Sequence, residues 1–133
     1  MAFFLARAIV VGMQKTSDLV WQDAQHQVLF EILDDIRKPD SGAEVLQRLW
    51  DYTEVHFTLE ERYMDLLEFP GREQHLRAHN IFREEVTRLL EPDQQHDAVF
   101  MGIISTYLTE WLKRHVFGID KELEAFILES SIK

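Results

Sequence analysis

The sequence contains no cysteine, only 3 prolines and 5 glycines, and far fewer bases than acids. Without thiols the fold has no disulfides to lean on, which fits a reducing compartment such as the cytoplasm. The 24 acidic residues outnumber the 14 basic ones and leave a formal net charge of -10. That balance argues against a nucleic-acid surface, which needs clustered Lys and Arg to neutralise phosphates, and leaves cations as natural partners. Long apolar runs are scarce as well. The one run, "MAFFLARAIVVGM" at the N-terminus, is interrupted by Arg7, lacks a basic leader and is too short to span a bilayer. It is expected to be neither a membrane anchor nor a cleaved signal, but an arm, residues 1–16, lying on the domain. No stretch alternates apolar and polar residues as a half-buried strand would, and no repeat or low-complexity tract interrupts the chain.

What is present is helical. With 46% hydrophobic residues in 133, the chain has enough apolar side chains for a single domain that buries roughly two thirds of its unfolded surface. Pro39, Pro70 and Pro92 each stand between long segments of helical period. The first helix is expected from a cap at Ser17 to about residue 37, with Val20, Leu29, Phe30, Leu33 and Ile36 turned inward. The second opens on "SGAE", where Ser41 and Glu44 match a capping box, and reaches about residue 68. The third spans about 72 to 90. The fourth follows "EPDQQHD" and directs Phe100, Ile103, Ile104, Tyr107, Leu108 and Trp111 inward, and a further helical piece lies beyond Gly118. Short connections between long helices predict an all-α, up-down-up-down antiparallel four-helix bundle over residues 17–133.

Histidine occurs 6 times, at positions 26, 56, 75, 79, 96 and 115. A single helical histidine is ordinarily a core or surface residue, but here the spacing is chemical. His75 and His79 stand at i, i+4 and project about 40° apart, within reach of one metal ion, and His56 and Glu60 repeat the spacing. His115 and Asp120 stand at i, i+5, so both point inward only if the turn through "HVFGID" loosens, which Gly118 is expected to ease. At a rise of about 1.5 Å per residue, His26, His56, Glu60, His75, His79, His115 and Asp120 all fall in one slab near mid-bundle. Buried and unpaired, such polar groups would cost several kcal/mol, so a metal centre is the economical explanation. Seven donors exceed the needs of one ion, whereas two ions can share the carboxylates. Imidazole-rich, thiol-free ligation suits iron, and donor type alone does not separate it from zinc, manganese or copper.

The motifs "DAQHQVLF", "HFTLEE", "HLRAHNIF" and "WLKRHVFGID" together form a series that resembles the hemerythrin family, in particular its single-domain bacterial members, the bacteriohemerythrins, over roughly residues 19 to 125. The resemblance implies two non-haem irons bridged by an oxo or hydroxo group and two carboxylates. One iron would be held by His75, His79 and His115, the other by His26 and His56, with Glu60 and Asp120 as the bridges. It further implies that dioxygen binds at an open position on the two-histidine iron, against an apolar pocket matching Leu29, Phe57, Trp111 and Val116. Each of those four reads equally well as simple core packing. The carboxylate-rich pattern of ferritin-like sites, with a Glu on each of two helices and Glu-x-x-His on the others, is absent, which disfavours an oxidase role.

Two features depart from the family pattern. The Gly-apolar pair that usually shortly precedes the first helix lies farther upstream here, in "VVGM", and Gln22 fills a slot that is usually aliphatic. His96 falls in the third connection, matches no ligand position and is expected to face solvent. The function implied is reversible dioxygen binding for storage, delivery or sensing in a bacterial cytoplasm, without chemical turnover. The alternatives are an oxygen or redox sensor acting through a partner, or a second copy of the chain, at the N-terminal arm, and a di-iron enzyme that consumes peroxide or nitric oxide.

Overall fold

The computed structural model describes residues 14–92, 94 and 96–131. Expectations for the arm before residue 14 lie outside the described residues. Helix α1 is Val20–Ile36, α2 Ala43–Leu66, α3 Arg72–Leu89 and α4 Ala98–Arg114. A π turn, His115–Ile119, joins α4 to α5, Asp120–Glu129. No strand occurs among the described residues. Helix α1 packs on α2 and α4, and α2 on α3, so the chain forms the expected four-helix bundle, with α5 continuing the fourth rod past the π turn.

Two apolar clusters fill the bundle. The larger holds Leu29, Leu33 and Ile36 of α1, Leu46, Leu49 and Phe57 of α2, Phe82 and Val86 of α3, and Met101, Leu108 and Leu112 of α4. The smaller joins Leu19, Met64, Leu123 and Ile127, with Trp21 stacked on Tyr63 beside them. Along the first, second and fourth rods the smaller cluster lies on one side of the histidine and most of the larger cluster on the other, while α3 contributes only to the larger. A buried polar layer thus lies between the two apolar clusters.

Local signals act differently in places from what the sequence suggests. The first helix begins at Val20, and the Ser17 hydroxyl accepts from the Leu19 amide instead of capping a longer helix. Val20 itself is exposed. Ser41 does not form a capping box: its hydroxyl donates to the Ile36 carbonyl and ties off the end of α1, and α2 starts without a side-chain cap. On α4 a cap is present, with Asp97 accepting from the Phe100 amide at 2.8 Å. The inward line of α4, however, is Met101, Ser105, Leu108 and Leu112, while Ile103 and Tyr107 face outward. Ser105 fits that line because its hydroxyl donates to the Leu33 carbonyl across the interface with α1.

Helix α2 ends in a Schellman motif. The Phe69 amide donates to Met64 O at 2.9 Å and the Glu68 amide to Asp65 O at 3.3 Å. Glu68 sits at the left-handed position with φ 54°, where a Cβ is disfavoured. Glu68→Gly is therefore expected to stabilise the fold by about 0.5–1 kcal/mol, read as a higher urea midpoint at constant slope.

Candidate metal centre

Four rods deliver seven polar side chains to one closed layer. His26, Glu60, His75, His79 and Asp120 are 0–1% exposed, as is His56, and His115 is 5% exposed. The π turn does the work required of it: widening the helix to an i→i+5 pattern carries His115 and Asp120 to the same side, with Asp120 Oδ1 2.9 Å from His115 Nε2. Gly118 is not demanded by sterics, since an added Cβ would meet nothing within 4 Å and its φ is not positive.

The carboxylates divide their oxygens. Glu60 Oε1 faces His79 Nε2 at 3.1 Å and His75 Nε2 at 3.5 Å, while Oε2 faces His56 Nε2 at 3.4 Å and His26 Nε2 at 3.9 Å. Asp120 does likewise, with Oδ1 2.9 Å from both His75 and His115 and Oδ2 3.0 Å from His26. Two donor groups result: Glu60, His75, His79, His115 and Asp120 in one, and His26, His56, Glu60 and Asp120 in the other, with ligand atoms within 4.8 Å of one another in each.

Most of these approaches are contacts of charge without hydrogen-bond alignment. The Nε2 atoms of His26, His56, His75 and His115 and both oxygens of Asp120 are buried with no hydrogen-bond partner. Such orphaned atoms are rare in native interiors because each forfeits its hydration. Their gathering into two close groups is what a pair of metal ions would satisfy, so the donor set fits the two-metal expectation.

Outer contacts fix three of the five imidazoles, while His75 Nδ1 is buried without a partner. Thr16 Oγ1 lies 2.8 Å from Asp23 Oδ1 and 2.9 Å from His26 Nδ1. An ionised Asp23 only accepts, so the hydroxyl donates to it and His26 Nδ1–H must donate to the hydroxyl. His56 Nδ1–H donates to Gln25 Oε1 at 2.7 Å, and His79 Nδ1–H to Glu61 Oε2 at 2.8 Å. Arg83 holds Glu61 and Glu54 in turn, 2.8 and 2.7 Å away. Each bond keeps a proton on Nδ1, so that Nε2 is the nitrogen a metal would take once any proton there has left, the arrangement that ligating histidines use. Thr16, Gln25 and Glu61 were not singled out from the sequence. Gln25 and Glu61 adjoin His26 and Glu60, and that adjacency was the available signal. Thr16 had none, since it reaches His26 from 10 positions upstream.

Of the four residues matched to an apolar pocket, Phe57 and Trp111 lie against the imidazoles of the layer, and Leu29 and Val116 belong to the larger apolar cluster. Leu29, Phe57 and Val116 are buried, and Trp111 is partly so. Phe57 stacks on His79 with centroids 3.7 Å apart and lies tilted 5.8 Å from His56, touching both donor groups. Trp111 stacks on His115 at 4.8 Å. His96 stands apart from the cluster. It is half-buried, with its Nε2 2.9 Å from the Leu89 carbonyl, and so is not simply solvated as expected.

Residues 18–127 match the family described as Hemerythrin HHE cation binding domain. The chain belongs to the hemerythrin family. Curated relatives agree: it is 28% identical over 119 residues to a bacteriohemerythrin of Stenotrophomonas maltophilia, covering 77% of each chain. It is 31% identical over 98 residues to the myohemerythrin of Sipunculus nudus, covering 74% of this chain and 76% of that one. A bacteriohemerythrin of Clostridium acetobutylicum is 26% identical over 112 residues, covering 75% of this chain and 86% of that one. No solved structure gives a significant match.

Protonation of this hemerythrin-family site follows from its burial and its two acids. Burial is the largest influence on His26 and His75 and acts to lower them, but the Asp120 and Glu60 carboxylates outweigh it and raise both to about 9. Burial pushes His56 down to about 4 and also lowers His115. Glu60 and Asp120 stay ionised: burial would raise them, and the surrounding imidazoles hold them well below the usual carboxylate range. Two imidazolium charges then balance two carboxylates near pH 7. A metal must displace those protons, so uptake by metal-free protein near pH 7 is expected to release about two protons per chain. The apparent affinity should climb as pH rises toward 9 and level off above it. Potentiometric titration of zinc uptake in weak buffer measures both.

Proposed function

We propose that this protein binds dioxygen reversibly at a non-haem di-iron centre, as a carrier, store or delivery protein of a bacterial cytoplasm, and is not an enzyme. The observation that carries this reading is the pair of donor groups that overlap only in Glu60 and Asp120. His75, His79 and His115 would hold one iron and His26 and His56 the other, with the two carboxylates shared. The second group contains fewer imidazoles, and that asymmetry supports an open position on its side. When bound, the iron pair supplies the reversible electron donation that dioxygen capture requires.

The remaining work belongs to the chain. Nδ1–H bonds from His26, His56 and His79 keep the rings from turning as charge on the site changes. Leu29, Phe57, Trp111 and Val116 would form the dry wall of the dioxygen pocket, keeping water and external protons away from the site. No helix among the described residues is long and apolar enough to cross a membrane.

The test is an absorption spectrum of iron-loaded protein, reduced anaerobically and then exposed to oxygen. The reading expects a visible band that appears with oxygen and disappears on its removal over many cycles. A single irreversible oxidation, or continued oxygen consumption in the presence of reductant, would contradict it.

A further inference from the structure

Gln22 is the residue at this site that the family pattern does not account for. It lies on α1 one turn before His26, in a slot expected to be aliphatic, and it is wholly buried. Its Nε2 donates to Glu60 Oε2 at 2.8 Å, while its Oε1 is buried without a partner. A side chain kept only to fill space would not carry an amide into a dry layer, where the orphaned oxygen is a cost. The bond is also one-sided. It reaches the Glu60 oxygen that faces His26 and His56, and not the one that faces His75 and His79.

We propose that Gln22 is a positioning residue for the two-histidine subsite, holding Glu60 Oε2 in line with His26 and His56 and so setting how tightly that subsite binds its metal. The proposal rests on the two-metal reading above. Two opposed effects are in play. A hydrogen bond to a carboxylate ligand withdraws some of its electron density and weakens the metal bond, whereas fixing the oxygen in place spares the ordering that binding would otherwise require. Outer contacts of ligating groups, when removed, typically cost metal affinity about 10–100-fold. Orientation therefore dominates, and Gln22 strengthens its subsite. The three-histidine subsite uses Glu60 Oε1 and is not touched by the amide.

The experiment titrates metal-free full-length chain anaerobically with cobalt(II) alone, following the ligand-field bands of each step. The wild type is expected to fill in two steps, the three-histidine subsite first because it offers more donors. Gln22→Met keeps the length and bulk of the side chain and removes the donor. It should leave the first step unchanged and weaken the second about 10–100-fold, with an altered second-step spectrum. Gln22→Leu should repeat the result. Unchanged steps in both variants, or equal weakening of both steps, would overturn the proposal, the latter by showing a general packing defect. Loss of helical circular dichroism in both metal-free variants would also overturn it, by making Gln22 structural. A wild type that takes up a single cobalt would instead bring down the two-metal reading on which the proposal stands.

Discussion

Glu60→Ala is expected to reduce the iron content of the purified protein from a pair per chain to a single ion or none. Glu60 belongs to both donor groups, and each of its oxygens faces a different set of imidazoles. No other residue of α2 offers a carboxylate there, since Glu61 points to His79 Nδ1 and Arg83 on the outer side. The change also removes one of the two acids that counter His26 and His75 in the metal-free state, so their pKa values should fall from about 9. It leaves the Gln22 amide without its acceptor as well. Breaking a buried charged cluster from one side typically costs about 3–5 kcal/mol. Glu60→Gln, which keeps the shape and one acceptor oxygen, should fold better and still fail to hold the pair. His96→Ala is the control: its ring lies against the Leu89 carbonyl and Phe100 and belongs to neither donor group, and iron content should be unchanged. Equal iron loss in the Glu60 and His96 variants would undo the ligand assignment.

Phe57→Ala should combine the largest loss of stability with the fastest oxidation. The ring is fully buried, stacked on His79, edge-on to Phe82 at 5.9 Å and covered by the Arg83 guanidinium 5.2 Å from its centre. Removing it deletes a large apolar side chain between the main core and the polar layer. That typically costs about 3–5 kcal/mol, or on the order of 10–20 °C in Tm for a domain of this size. The cavity would border both donor groups, and orphaned polar atoms would draw water into it. Iron-loaded Phe57→Ala should therefore oxidise many times faster than wild type, measured as the decay of the oxygenated band. Phe57→Leu, which refills part of the volume, should fall between the two. An oxidation rate equal to wild type, at a temperature where both are folded, would remove Phe57 from the proposed dioxygen pocket and leave it a packing residue.

The reach and limits of the sequence follow from which interactions are local. Helical extents were readable from three prolines and the 3.6-residue period, and His75 with His79 from their spacing on one helix. The i, i+5 placement of His115 and Asp120 even required the π turn that is observed. Other features depend on how one helix is rotated against another. Phe100, Met101, Ile103, Ile104, Tyr107, Leu108, Trp111 and Leu112 spread around most of α4, so hydrophobicity could not show that Ile103 and Tyr107 face outward while Ser105 faces in. Ser41 has a capping-box spacing, but the Ile36 carbonyl, left open at the end of α1, captures its hydroxyl first. Gln22 and Thr16 gain meaning only once α1 is set against α2 and the preceding segment folds back on His26. Their partners lie on another helix or across a loop, where sequence spacing carries no information.

The central claim is that seven side chains from four rods enclose two irons. The most direct measurement is an anomalous-difference map from a crystal of the iron-loaded protein, recorded at the iron absorption edge. The account predicts two peaks, one among His75, His79 and His115 and one beside His26 and His56, with Glu60 and Asp120 between them. A single peak, or two peaks lying outside this layer, would contradict it.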